Sequence, residues 1–320
     1  MKALEAIPLA EIRAARERIA GAVVRTPLVR LNVDDAPAEI HLKLENLQPI
    51  GSFKLRGAGN AMVQAGPEAL ANGVYTASAG NMAQGVAWWA RRMGIACTVV
   101  VPDHAPRAKL DAIERLGGRI LPVPFERWWQ VLVERSYPGV EGVFIHPVSD
   151  PAVIAGNGTI GLEILEDLPD VEKILVPYGG GGLSSGIASA LHGLGARARV
   201  VACEVETAAP LAAALRAGAP RPIEYVPSFV DGIGGRGLLE EMWPLVSRLI
   251  DGSLVSSVAE IAEAVRLLAT RNRVIAEGAG AASVAAALAG RAGSGKIVCV
   301  VSGGNLDASK LREILDGRVP

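Results

Sequence analysis

Four short segments of the 320-residue chain carry residue types at a spacing that could do chemistry. The first is Val176-Pro-Tyr-Gly-Gly-Gly-Gly-Leu-Ser-Ser-Gly, in which Gly179, Gly180, Gly181 and Gly182 separate an apolar run ending at Pro177 from a helical pattern starting near Leu183. Such a turn lets successive backbone N–H groups face one anion, and the positive pole of the following helix adds to the attraction. It lacks the GxxxxGK[ST] of a Walker A loop, and no G-x-G-x-x-G register fits residues 179–186. A flexible tight turn is the alternative, although four glycines at a helix start are costly without a purpose. The second segment is Gly51-Ser-Phe-Lys-Leu-Arg-Gly. Lys54, behind Ser52 and Phe53 at an expected helix start, would be poorly solvated and close to a positive dipole end. Both effects lower an ammonium pKa, as an amine that attacks an aldehyde requires. On its own the lysine also fits a solvated surface charge. The third, Thr76-Ala-Ser-Ala-Gly-Asn-Met-Ala-Gln-Gly, opens a helix at Asn81 and leaves Ser78 and free N–H groups for a carboxylate, or is simply a helix cap. The fourth, Val301-Ser-Gly-Gly-Asn, places Ser302 at a strand tip, where its neutral hydroxyl could meet a ring nitrogen or just end a turn.

A phosphate cradle and an aldehyde-reactive lysine in one chain point jointly to pyridoxal phosphate. Metal chemistry has no comparable signal: Cys97, Cys203 and Cys299 are widely spaced, each inside an apolar run, and read as reduced thiols.

The elements that must position these segments alternate between strand and helix. Strands are expected at Ile40–Glu45, Ala96–Val101, Arg119–Val123, Val143–His146, Lys173–Pro177, Arg199–Glu204 and Lys296–Ser302. Helices are expected at Asn81–Met93, Pro106–Leu116, Ala152–Asp167, Leu183–Leu194 and Ala259–Ala276, with Gly94, Gly117 and Gly195 at helix ends. Alternation of this kind implies parallel sheets with right-handed crossovers. Length suggests about two units at roughly 150 residues each, and Tyr137–Pro151, with three prolines and two glycines, reads as the crossover between them. Half the residues are apolar, only four Phe, five Trp and four Tyr are present, and there are 37 glycines. The cores must therefore be aliphatic, and the adjacent pair Trp88-Trp89 reads as core packing. A net charge of −1 leaves no basic surplus for nucleic acid or a membrane surface. The charged N-terminal pattern has no signal-peptide core, and a soluble cytoplasmic protein is expected.

The four segments, in this order, together with Arg25-Thr-Pro-Leu, His146-Pro…Pro-Ala-Val-Ile-Ala-Gly-Asn-Gly-Thr159 and Glu277-Gly-Ala-Gly, resemble the fold-type II pyridoxal-phosphate enzymes, specifically the threonine/serine dehydratase and serine racemase group. The likeness runs from about Arg25 to Asn305. It implies a tryptophan synthase beta-like α/β fold of two doubly wound three-layer lobes with the cofactor between them. Residues 1–50 plus 150–320 would form the large lobe and 51–149 the small one. By resemblance, Lys54 makes the Schiff base and moves protons at the substrate Cα, while Phe53 packs on the cofactor ring and Asn81 bonds its 3-oxygen. Gly179–Gly182 hold the phosphate and Ser302 faces the ring nitrogen. Ser78, Ala79, Gly80, Asn81 and Met82 receive the substrate, and Glu277 lies near the cofactor. The implied reaction is loss of the β-hydroxyl and amine of L-threonine or L-serine to give a 2-oxo acid and ammonia. The implied partners are that small amino acid and a second copy of the chain, as a homodimer.

Three departures refine this. Serine racemases of the group carry a second serine where this chain has Ala79, so dehydration is expected over racemisation. The usual histidine is replaced by Met82, which suggests a less polar substrate mouth and a bulkier substrate such as phenylserine as an alternative to threonine. Relatives with a divalent-cation site use an acid, a carbonyl and a second acid; Glu204 and Ala208 match the first two, but Pro210 stands in the third place, so no metal is expected. The chain ends at Pro320, too soon for a regulatory domain, and isoleucine feedback is not expected. The rival from another class is an NAD-dependent oxidoreductase, with Glu204 after the glycine-rich turn as the ribose-binding acid; its fingerprint register is wrong and it leaves GSFKLRG unexplained.

Overall fold

A computed structural model describes residues 3–320. Among these residues ten strands form two sheets. Strands β1 (Leu28–Arg30), β2 (Glu39–Leu44), β7 (Lys173–Pro177), β8 (Arg199–Val205), β9 (Ser253–Ser256) and β10 (Lys296–Val301) make a six-stranded sheet in the order β1-β2-β10-β7-β8-β9. Only β1 runs antiparallel to its neighbour. Strands β3 (Val74–Ala77), β4 (Cys97–Pro102), β5 (Arg119–Val123) and β6 (Val143–Phe144) make an all-parallel sheet in the order β5-β4-β3-β6.

The central strands of both sheets are buried on both faces, which is why they read as continuous apolar runs. Along β10, Ile297, Cys299 and Val301 enter a core shared with the helices Val258–Leu267 and Gly278–Leu288. Val298 and Val300 point the other way, to the helices Pro151–Asp167 and Gly182–Leu194. In the smaller sheet Val99 and Val101 pack under the helix Asn81–Met93, and Val100 with Tyr75 packs under the helix Phe125–Glu134. Each such side chain contributes on the order of 1.5–3 kcal/mol by leaving water.

All seven expected strands are present, with ends shifted by up to two residues. Three more, β1, β3 and β9, are only three or four residues long. The expected helix Ala259–Ala276 instead stops at Leu267, passes through a π-helical turn at Leu268–Asn272 and ends at Arg273, whose φ of 61° is left-handed. No helix among the described residues is long and apolar enough to cross a membrane.

Three helices bring the chemistry together. Lys54–Ala69, Pro151–Asp167 and Gly182–Leu194 pack so closely that glycine is required where they cross. A Cβ on Gly156 would lie 2.5 Å from the Arg56 carbonyl oxygen, and one on Gly186 would lie 2.5 Å from that of Ile154. The pairs in contact, Gly57 with Val153 and Ile154 with Gly186, belong to the first two turns of each helix. The N-terminal ends of the three helices, where unpaired N–H groups concentrate positive potential, therefore gather on one side.

Candidate active site

Three of the four candidate segments, and the His146 motif, follow the carboxyl end of a parallel strand, the usual place for a ligand in open α/β sheets. Ser78–Asn81 follows β3, His146–Ser149 follows β6, Gly179–Gly182 follows β7 and Ser302 follows β10.

Lys54 is the first residue of its helix and is half-buried. Its Nζ donates to the Pro147 carbonyl at 2.7 Å and lies 5.2 Å from the centre of the Phe53 ring. No acid pairs with it among the described residues, and burial alone pushes its ammonium down to about 8. That is the poorly solvated amine expected for nucleophilic work. Residues 51–54 are stitched to the tip of β10: Phe53 N donates to the Ser302 carbonyl at 3.0 Å, Ser52 bridges to Gly303, and Gly304 N donates to the Gly51 carbonyl at 2.9 Å. Ser302 is buried beside this seam.

From Lys54 the contacts run around the site and close on themselves. Val148, next to Pro147, presses on the tetraglycine turn; a Cβ on Gly180 would lie 2.5 Å from Val148 Cγ1, and one on Gly182 2.7 Å from its carbonyl oxygen. Gly181 caps the helix with φ 91°, a left-handed conformation that favours glycine. Gly179 packs on Ile233, and Gly232 on Glu277 and Ala279. Glu277 Oε1 accepts from Asn81 Nδ2 at 2.8 Å, and Glu277 N donates to the Gly303 carbonyl at 3.0 Å, which returns the ring to Ser302 and Lys54. Burial pushes the Glu277 carboxyl up to about 7, helped by the charge of Asp231 and opposed by the Asn81 bond and by Lys109. Ser78 Oγ accepts from Gly80 N at 3.1 Å, Gly80 caps the helix Asn81–Met93, and a Cβ there would meet nothing within 4 Å. There is thus open space beside Gly80 at this end of the ring.

The structure brings Lys54, Phe53, Asn81, Gly179–Gly182, Ser302 and Glu277 onto this one ring, with Ser78, Ala79 and Gly80 at its edge. Met82 departs from expectation: its side chain is 2% exposed and packs in the core of the smaller sheet, so only its backbone is placed to meet a ligand. The argument for a bulkier substrate from Met82 polarity therefore loses its basis. Trp89 is core, as expected, and its Nε1 donates to the Leu55 carbonyl at 2.9 Å, steadying the turn that carries Lys54.

Three contributors were not assigned from sequence. Asn305 Nδ2 donates to Asn81 Oδ1 and to the Ile50 carbonyl, at 2.8 and 2.9 Å, although it stands in the quoted Ser-Gly-Gly-Asn motif. Asp231–Ile233 lies in Val230-Asp-Gly-Ile-Gly-Gly, a glycine cluster that could have signalled a close backbone approach. Tyr178, just before the tetraglycine, has a buried hydroxyl with no hydrogen-bond partner among the described residues, adjacent to Gly181. Burial holds that phenol well above its ordinary pKa, so it remains a donor. An unpartnered buried donor beside a glycine cradle, with a desolvated lysine across the same ring, fits a phosphorylated aldehyde cofactor.

Glu204 does not fit a metal ligand or a ribose-binding acid. It is buried, and its two oxygens accept from Leu211 N and Ala212 N, both at 2.8 Å, and from Ser253 Oγ at 2.5 Å. The carboxylate caps the helix Pro210–Ala217, which Pro210 opens. Among the described residues no three His, Cys, Asp or Glu side chains gather as a metal site would require.

Two mainly parallel α/β sheets, with the lysine on the helix between them and the glycine cradle after β7, define a fold-type II pyridoxal-phosphate enzyme. The chain belongs to the pyridoxal-phosphate dependent enzyme family, whose model matches residues 19–303. It is 39% identical to the L-threonine ammonia-lyase of Thermotoga maritima over 97% of this chain and 78% of that protein. Among solved structures it is similar to maize serine racemase, with a TM-score of 0.87 and 34% identity over 96% of both chains. It is likewise similar to the processed threonine deaminase isoform 2 of Solanum lycopersicum, with a TM-score of 0.88 and 32% identity over 97% of this chain and 86% of that one.

Proposed function

We propose that this chain is a hydroxy-amino-acid ammonia-lyase that converts L-threonine, and L-serine as a smaller analogue, to the 2-oxo acid and ammonia. The observation that carries the reading is the ring joining Lys54, the tetraglycine turn, Asn81 and Ser302. The threonine-specific names of its relatives support the substrate.

Gly179–Gly182 and the helix pole behind them would hold the phosphate, and Ser302 would face the ring nitrogen. When bound, pyridoxal phosphate spreads the negative charge left at the substrate Cα. Ser78 and the N–H groups opening the helix Asn81–Met93 receive the substrate carboxylate. Lys54, freed from the Pro147 carbonyl and lowered by burial to about 8, takes the Cα proton. The β-hydroxyl then departs as water, carrying off the proton that Lys54 took from Cα, and the released enamine takes up water to give ammonia and the 2-oxo acid. With the cofactor bound, a neutral Ser302 hydroxyl would not hold a proton on the ring nitrogen as a carboxylate would, which would favour loss of the β-hydroxyl. Ala79 offers no second base at Cα, which supports elimination over racemisation.

A 2-oxo-acid and ammonia assay over L-threonine, L-serine and phenylserine tests the reading. Threonine is expected to give the highest kcat/KM, Lys54→Ala to abolish turnover, and exchange between L- and D-serine to stay far below ammonia release. A preference for phenylserine, or racemisation rivalling elimination, overturns it.

A further inference from the structure

His146 lies in the motif after β6 and has no part in the chemistry above, yet it is buried to 2% exposure and fully engaged on one edge. Its Nδ1 accepts from Val148 N at 3.1 Å and from Ser149 N at 2.9 Å. A side-chain acceptor that collects the N–H groups two and three residues ahead is what Asn or Asp supplies in an Asx-turn or a helix cap. Here the turn it folds is the bridge between the two halves of the site. Pro147 presents its carbonyl to Lys54 Nζ at 2.7 Å, and Val148 seats against Gly180 and Gly182. Ser149, next along, donates from Oγ to Glu241 Oε1 at 3.0 Å and accepts from Arg135, which anchors the far end of the turn.

We propose that His146 is a positioning residue, whose Nδ1 lone pair folds the Pro147–Ser149 turn and thereby sets Lys54 and the tetraglycine cradle at the separation the cofactor requires. The proposal rests on Lys54 and Gly179–Gly182 being the cofactor-holding groups. Supporting it, burial and the neighbouring Arg135 charge push the His146 imidazole down to about 3, so Nδ1 stays an acceptor at every working pH.

The test compares two variants that place their polar atoms differently. His146→Asn puts an acceptor where Nδ1 is, whereas His146→Gln carries it out to the level of Nε2 and orphans both N–H groups. Pyridoxal phosphate affinity is measured by titration of the protein freed of cofactor, and the lysine bond is trapped by borohydride reduction and located by peptide mapping. His146→Asn is expected within about threefold of the wild type, and His146→Gln weaker by about tenfold or more with slowed trapping at Lys54. Equal affinity of wild type and His146→Gln, or an Asn variant no better than Gln, overturns the proposal. Val148→Ala provides a second arm should the histidine variants not fold, because it trims only the side chain on Gly180. It is expected to weaken cofactor binding with an unchanged far-ultraviolet spectrum, and unchanged affinity overturns the proposal. If borohydride attaches no cofactor to Lys54 in the wild type, the reading of the site falls first and this one with it.

Discussion

Lys54 shows how one residue acquires reactivity from its surroundings. Its ammonium has no carboxylate partner among the described residues, and its hydrogen bond to a carbonyl does not compensate fully for lost water, so burial lowers its pKa to about 8. Only the neutral amine attacks an aldehyde. The rate at which protein freed of cofactor takes up pyridoxal phosphate should therefore rise with pH through about 8 and level off above it. Stopped-flow absorbance on the wild type measures this, and a profile still climbing steeply near the ordinary lysine range would contradict the desolvated setting. The same scale explains why Met82 misleads. Its place beside Asn81 in sequence suggests the substrate mouth, but a helix turns successive side chains by about 100°, and the one after Asn81 falls on the core side.

At the scale of elements, the helix Lys54–Ala69 is held by a buried quartet of charges. Arg56 bonds Glu45 and Glu163, and Lys43 bonds Glu163 at 2.5 Å and the Thr26 carbonyl at 2.7 Å. Two cations and two anions balance, and all four side chains are nearly or fully buried. Burial pushes the Glu45 carboxyl up, but the Arg56 charge and hydrogen bond outweigh it and leave it below the ordinary range. Arg56→Met should destabilise the fold by about 3–5 kcal/mol in urea unfolding, because it leaves two acids facing one lysine. A loss under 1 kcal/mol would show that the quartet is hydrated. A second element, the helix Pro210–Ala217, has Glu204 as its cap, with both oxygens already engaged. Chelation with EDTA, or added Mg2+, should therefore leave both activity and Tm unchanged; Mg2+-restorable loss would contradict this. The quartet was invisible from sequence because Glu163 lies 107 residues beyond Arg56 and 120 beyond Lys43 and reaches them only through tertiary packing. The six expected strands of five or more residues were legible because their apolar residues come in continuous runs. Strand β3 was not, since four residues running into Ser78 leave too short a pattern. Nor was the length of the helix Lys54–Ala69, whose small and polar residues are chosen for close crossing and give no clear stripe. The site motifs were legible because glycine runs and a lysine behind Ser-Phe have few other uses; Asp231–Ile233 was missed because no periodicity frames it.

Across the whole molecule, the two sheets meet over the site through charge as well as packing. Lys109, on the helix Arg107–Arg115 beside the smaller sheet, donates to Asp231 Oδ2 at 2.9 Å, and Asp231 adjoins the Gly232 that packs on Glu277. Arg236, farther along the same segment, sits 5.6 Å from the Phe125 ring centre. A half-exposed ion pair contributes at most about 1 kcal/mol to stability, but its two charges act on Glu277 in opposite directions. Glu277 titrates near 7 in the folded protein, against 4.5 ordinarily. Between those values the folded state binds a proton that the unfolded chain has lost, so stability should fall as pH rises through this window. Asp231→Asn removes the charge that raises Glu277 and should shrink that fall, whereas Lys109→Gln removes one that lowers it and should enlarge the fall. Glu277→Gln should flatten the window altogether. Urea unfolding of cofactor-free protein at a series of pH values reads all three. Shifts of the same sign for Asp231→Asn and Lys109→Gln would mean that the pair acts by holding the two sheets together, and not through the field it casts on the site.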